Sequence, residues 1–154
     1  MTPNPQAAAH YLRTKVLTST PEQLQMMLYD GALRFGEQAR IALTAKKYED
    51  SYNLICKVQK ILSELSGSLK RDVSPDLCGK LAALYTYAYR QLITANIQHD
   101  LAALDDAMKI LKYQRETWVM LMEQLAKKKA GAAASRLDLP EPDSRMEASI
   151  SMRG

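Results

Sequence analysis

The 154-residue sequence predicts an all-α fold: an antiparallel up-down four-helix bundle with an N-terminal arm and a flexible C-terminal tail. Four stretches repeat apolar residues at helical spacing, most open on a helix-start signal, and the gaps between them are only about three to five residues long. Links that short force consecutive helices to run antiparallel. No segment alternates apolar and polar residues as a half-buried strand does.

Residues 1–19 read as the arm. They hold two prolines and the short apolar run Ala7-Ala8-Ala9-His10-Tyr11-Leu12, enough for one loose turn or for lying on the bundle. The first bundle helix opens at Thr20-Pro21-Glu22-Gln23. Thr20 caps, Pro21 suits the first helical position, and Gln23 three residues on completes a capping box. This helix runs to about Thr44, with an inner stripe of Leu24, Leu28, Gly31, Phe35, Ala39 and Ala42. Gly31 and Gly36 give up helix propensity, which points to a close neighbour.

The second helix spans about Tyr48 to Lys70 and carries Leu54, Ile55, Val58, Ile61, Leu62, Leu65 and Leu69, an arc wider than one partner helix needs. The third opens on Ser74-Pro75-Asp76, lines the core with Leu77, Leu81, Leu84, Ala88, Leu92 and Ala95, and stops near Ile97. Asp100 caps the fourth, whose inward row of Leu104, Met108, Leu111, Trp118, Met122 and Leu125 precedes a basic stop at Lys127 to Lys129. The bundle therefore covers residues 20–129, and the Ala-, Ser- and Pro-rich remainder, 130–154, reads as the tail.

Composition narrows the function. The chain is 47% apolar and 25% charged with a net charge of +4, ordinary values for a folded domain, which permit an acidic partner without requiring one. It has neither a secretory leader nor an apolar run of the roughly 18 to 20 residues that span a bilayer, so it reads as cytoplasmic with no membrane insertion. Cys56 and Cys78 form no CxxC pair and read as reduced, buried thiols.

Catalysis finds no foothold in these residues. Neither His10 nor His99 has a glutamate three positions before it, as a di-iron bundle requires, and no glycine-rich loop is present to cradle a phosphate. Adjacent Asp105 and Asp106 diverge by about 100° on a helix and form no carboxylate pair. The chain is read as no enzyme, with no cofactor and no metal. Apart from Lys127 to Lys129, cations alternate with acids along the helices, so a nucleic-acid partner is not indicated.

Apolar surface is left over once the core stripes are assigned. Met26, Tyr29 and Leu33 lie off the first helix's stripe, Ala82, Tyr89, Ile93 and Ile97 form a second stripe on the third, and Leu54, Ile61 and Leu65 widen the second helix's arc. Tyr85, Tyr87 and Tyr89 alternate along a helix, so at least one must face outward. Such a surplus fits a groove for an amphipathic helix, cover by the chain's own arm, or a self-associating structural bundle. Arg115 falls on the inner side of the last helix and must pair or snorkel.

The same residues resemble a known family. The run YLRTKVLTSTPEQLQMMLYDGAL, residues 11 to 33, is similar to the opening of the FliS flagellar export chaperones. KVQKILSELSGSL in the second helix, LYTYAYRQLITANIQHD at 84 to 100 and ILKYQRETW at 110 to 118 extend the likeness in the same order. Val58 stands where a smaller alanine is common in that family.

The resemblance implies a cytosolic, non-enzymatic chaperone that binds the C-terminal segment of flagellin, prevents its premature polymerisation and keeps it competent for type III flagellar export. It further implies an arm, carrying Tyr11 and Val16, that covers a groove and moves when flagellin arrives. Groove candidates by matching position are Tyr29, Leu54, Val58, Ile61, Leu65, Tyr89, Ile93 and Ile97. A weak homodimer is compatible with this role.

Overall fold

The computed structural model describes residues 4–68 and 75–138, all of them in helices or the short links between them. Five helices follow in order: α1 (Pro5–Thr18), α2 (Pro21–Thr44), α3 (Tyr48–Gly67), α4 (Pro75–Gln98) and α5 (Leu101–Asp138). The expected Ser74 cap, Leu69, the side chains of Leu77 and Cys78, and the end of the tail, 139–154, lie outside the described residues. The chain divides into two compact units, Met1–Trp118 and Val119–Gly154.

Local chemistry sets the helix ends. Thr20 Oγ1 accepts from the Gln23 amide while the Gln23 side chain accepts from the Thr20 amide, so both halves of the capping box form. Asp100 Oδ1 accepts from the Ala103 amide at the start of α5. Lys46 and His99, each in the left-handed region, close α2 and α4. The following amides, Lys47 and Asp100, bond back to Ala42 and Ala95 and satisfy carbonyls that a helix end leaves free. The His99 ring stacks on Tyr48 at 3.8 Å, which joins the α2–α3 link to the α4–α5 link.

The core of the first unit contains Tyr29, Ala32, Ala39 and Leu43 of α2 and Ile55, Val58, Leu62 and Leu65 of α3. Tyr85, Ala88, Leu92 and Ala95 of α4 and Ala103, Leu104, Ala107 and Leu111 of α5 complete it. Buried residues recur at spacings of three and four on each helix, as bundle packing requires. On α2 the buried face is rotated from the predicted stripe. Leu28 and Phe35 are only half-buried, and Tyr29, Ala32 and Gly36 turn inward. A Cβ added at Gly36 would overlap the Met108 side chain of α5, so this glycine makes room for that side chain. The Phe35 ring is flanked by Arg34 at 5.2 Å and Lys57 at 5.1 Å, which shields its exposed side.

Among the described residues two ion pairs tie α2 to α5, Arg40–Asp105 at 2.9 Å and Arg115–Asp30 at 2.6 Å. The second gives Arg115 its pairing. Gln114 is buried, and its amide nitrogen has no hydrogen-bond partner among the described residues. Asp105 and Asp106 do diverge, and each engages a different neighbouring helix: Asp105 meets α2, and Asp106 accepts from Tyr87 and Gln91 of α4.

The ends depart from expectation. The arm is a 14-residue helix rather than one turn, capped by Asn4, with every side chain from Asn4 to Thr18 exposed. In the second unit the helix passes Lys127 to Lys129 and Gly131 and ends at Asp138, so residues 130–138, expected as tail, are helical. The alanine-rich run around Gly131 outweighs the propensity that one glycine costs. Leu125, expected inward, is exposed there.

Candidate functional site

Between α3 and α4 runs an open groove of about 550 Å³. Its apolar lining is Leu62 from α3 and Tyr85, Tyr89 and Ile93 from α4. Leu62 and Tyr85 are buried and form the floor, whereas Tyr89 and Ile93 are each 38% exposed and form a wall. One turn further along α4, Ile97 is 74% exposed and prolongs the wall. From Tyr89 to Ile97 is about 12 Å of helix at 1.5 Å per residue, long enough to lie against two turns of a guest helix.

The floor is held from beneath. Tyr85 reaches across the core so that its hydroxyl lies 2.7 Å from that of Tyr29 on α2. Burial pushes both phenols above the ordinary range, and Tyr85 the further of the two. Among the hydroxyls along the groove, Ser63 donates to the Gln59 carbonyl and Thr86 to the Ala82 carbonyl, each within its own helix. Among the described residues, Arg90 is the one charged residue in the lining.

The groove candidates therefore separate. Tyr89 and Ile93 line this groove, Ile97 extends it, and Ile61 is half-buried on α3 with its Cδ1 reaching toward Gly31. Leu54 lines a different hollow of about 400 Å³ between α2 and α3, beside exposed Ile41. Tyr29, Val58 and Leu65 do not face outward at all. Each is buried in the core, because the bundle closes on those faces of α2 and α3. Val58 therefore reshapes packing rather than a groove wall. Of the alternating tyrosines, Tyr85 is buried while Tyr87 and Tyr89 are exposed, as the spacing requires.

Helical periodicity passed over Leu62 and Tyr85 as floor and Arg90 as lining. Arg90 carried a signal, since it sits beside Tyr89 and three residues before Ile93 on one helix. In the arm, Tyr11 and Val16 are exposed together with Leu12 and Leu17. Cys56 is partly buried, with its sulfur 3.8 Å from the Asn96 amide. Among the described residues no cluster of three or more metal-ligating side chains occurs, and no helix is long and apolar enough to cross a membrane.

Comparison with known proteins agrees on one family. The model of the family described as flagellar protein FliS matches residues 4–137. The chain is 32% identical over 129 residues to the flagellar secretion chaperone FliS of Bacillus subtilis, covering 84% of this chain and 94% of that one. It is 27% identical over 108 residues to the Salmonella typhimurium protein of the same name, covering 70% and 80%. A crystal structure of a flagellar chaperone from bacteria superposes with a TM-score of 0.63 over 79% of this chain and 99% of the other. At 23% identity, that likeness speaks for the fold alone.

Proposed function

This chain belongs to the FliS family, whose curated members are named flagellar secretion chaperones, and we propose that its α3–α4 groove binds the C-terminal segment of flagellin. The observation that carries this reading is the row Tyr89, Ile93 and Ile97 left exposed above a floor of Leu62 and Tyr85. An amphipathic segment laid along that row trades its own apolar face for the wall's, the usual way a groove accepts a helix. Flagellin held in this manner cannot use the same face to polymerise, and it remains free for export. No bond is made or broken, so the activity is binding rather than catalysis, and its place is the cytosol, before export.

The arm fits this reading as a movable cover. A lone 14-residue helix is marginal in water, and α1, whose Tyr11, Leu12, Val16 and Leu17 stand exposed, would gain stability by laying some of them on the groove's apolar wall. Ser19 and Thr20, both extended, make the joint on which it swings. Arm and flagellin then compete for one groove.

The test is direct. A peptide of a flagellin C-terminal segment, mixed with the full chain, gains helical circular dichroism and releases measurable heat in calorimetry. Absence of binding at high micromolar concentration, across several flagellins, would overturn the reading. Light scattering separates the alternative of a self-associating bundle, in which a stable dimer forms and ignores the peptide.

A further inference from the structure

We propose that Arg90 is the specificity-determining residue of the α3–α4 groove, and that it selects a guest helix bearing a side-chain carboxylate within one turn of its apolar anchor. This rests on the groove being the guest site and adds the chemistry by which one guest is told from another.

Charge singles Arg90 out. Among the described residues it is the only charged side chain in the groove lining, set among Leu62, Tyr85, Tyr89 and Ile93. Among the described residues the ion pairs engage Arg40 and Arg115, both between α2 and α5, and Arg90 has no carboxylate partner. The nearby hydroxyls do not compete for the role. Ser63 and Thr86 spend their protons on carbonyls of their own helices, and the hydroxyls of Ser66 and Tyr89 are neutral donors, so the charged donor open to a guest among the described lining residues is the guanidinium.

Position gives the second half of the argument. Arg90 stands next to Tyr89 and three residues before Ile93, so its side chain shares a helix surface with the wall residue Ile93. A guest whose apolar anchor rests on Ile93 brings its own neighbouring turn over Arg90. The guanidinium is planar and offers paired N–H groups that match the two oxygens of a carboxylate. As the guest covers the groove it also strips water from Arg90. A guest with a neutral side chain there leaves a partly dehydrated cation unpaired, and one with lysine adds repulsion. The groove thus rejects as well as attracts.

The experiment uses fluorescein-labelled amphipathic peptides patterned on a flagellin C-terminal segment, with amidated C-termini. They are identical except for Glu or Gln placed three or four residues to either side of the central leucine anchor. Fluorescence anisotropy with the full chain is expected to show one Glu placement binding about five-fold more tightly than its Gln twin. That preference should disappear in Arg90→Gln, shrink in Arg90→Lys, and fade at high salt.

Equal affinity for all Glu and Gln twins overturns the proposal, and so does a preference that survives unchanged in Arg90→Gln. If Arg90→Gln does not fold, the twin comparison on the unaltered chain and on Arg90→Lys still decides. A Gln peptide with a free C-terminal carboxylate that matches the amidated Glu peptide overturns the side-chain source. Failure of the groove itself looks different: Ile93→Asp would then leave every peptide's affinity unchanged.

Discussion

The hydroxyls of Tyr29 and Tyr85 meet 2.7 Å apart inside the core, and each makes the other's burial tolerable. Replacing Tyr29 with phenylalanine strands the Tyr85 hydroxyl and is expected to cost about 1 to 3 kcal/mol, whereas Tyr85→Phe leaves Tyr29 its bond to Gln25 and should cost less. The double replacement should cost clearly less than the two single costs added together. Urea unfolding of the four proteins forms the test cycle, and strict additivity would refute the pairing.

The same pair shapes the alkaline limb. Burial raises both phenols above their ordinary value of 10.0, so in the unfolded chain they ionise first. Stability is complete below about pH 10 and drains as pH rises beyond it, because the folded state holds those protons more tightly. The double phenylalanine variant should show a shallower alkaline loss.

Two glycines on one helix should respond differently to alanine. Gly36→Ala forces the flexible end of Met108 to swing aside, and the repacking is expected to cancel the helix-propensity gain of about 1 kcal/mol. At Gly31 the new methyl would meet only Ile61 Cδ1, at 3.5 Å, an ordinary contact. Gly31→Ala should therefore gain up to about 1 kcal/mol of helix propensity. Thermal melts of both variants check the contrast, and Met108→Ala should relieve the first.

Asp106 makes an acid-sensitive clasp between α4 and α5. Hydrogen bonds from Tyr87, at 2.6 Å, and then from Gln91, at 2.7 Å, hold its carboxyl below the ordinary 3.8. That contribution is present above the unfolded value and is lost as pH falls through the lower folded one. Asp106→Asn should accordingly weaken the fold near neutrality and flatten its loss of stability in acid, measured as urea midpoints from pH 7 to pH 2.

Ile97 offers a clean separation of binding from stability. Its side chain is largely in water already, so Ile97→Ser should shift stability by no more than about 0.5 kcal/mol. Peptide affinity should nevertheless fall several-fold, since about 0.8 kcal/mol accompanies each CH₂ withdrawn from contact. Calorimetry and melts on the same sample read both quantities.

Deleting residues 1–19 tests the arm. Hydrophobic-dye fluorescence and peptide affinity should both rise when the competing cover is removed. Unchanged values would leave α1 as a helix with no part in guarding the groove.

Much of the fold was legible because its signals are local. Thr20 with Gln23 and Asp100 with the Ala103 amide are contacts over three residues, and the sequence spells them directly. The phase of α2 was harder. Hydrophobicity favours Leu24, Leu28 and Phe35, but the Met108 side chain fills the space over Gly36, and the face of α2 buried with that glycine carries Tyr29, Ala32 and Ala39. Groove assignment inherited that rotation, which is why Tyr29, Val58 and Leu65 belong to the interior while Tyr89, Ile93 and Ile97 keep their outward positions. Arg90 was invisible to a search for apolar surplus because its value lies in being a charge set within one.

The two ion pairs between α2 and α5 also spell out chain polarity. Acid precedes base on both helices, Asp30 before Arg40 and Asp105 before Arg115, with the same interval of ten positions. Laid head to tail, every charge meets its opposite. Laid head to head, aspartate would face aspartate and arginine would face arginine. Exposed pairs of this kind add little net energy, yet the wrong orientation forfeits both attractions and gains two repulsions. Four surface residues thereby discriminate against a mirror-ordered assembly that greasy packing alone would tolerate.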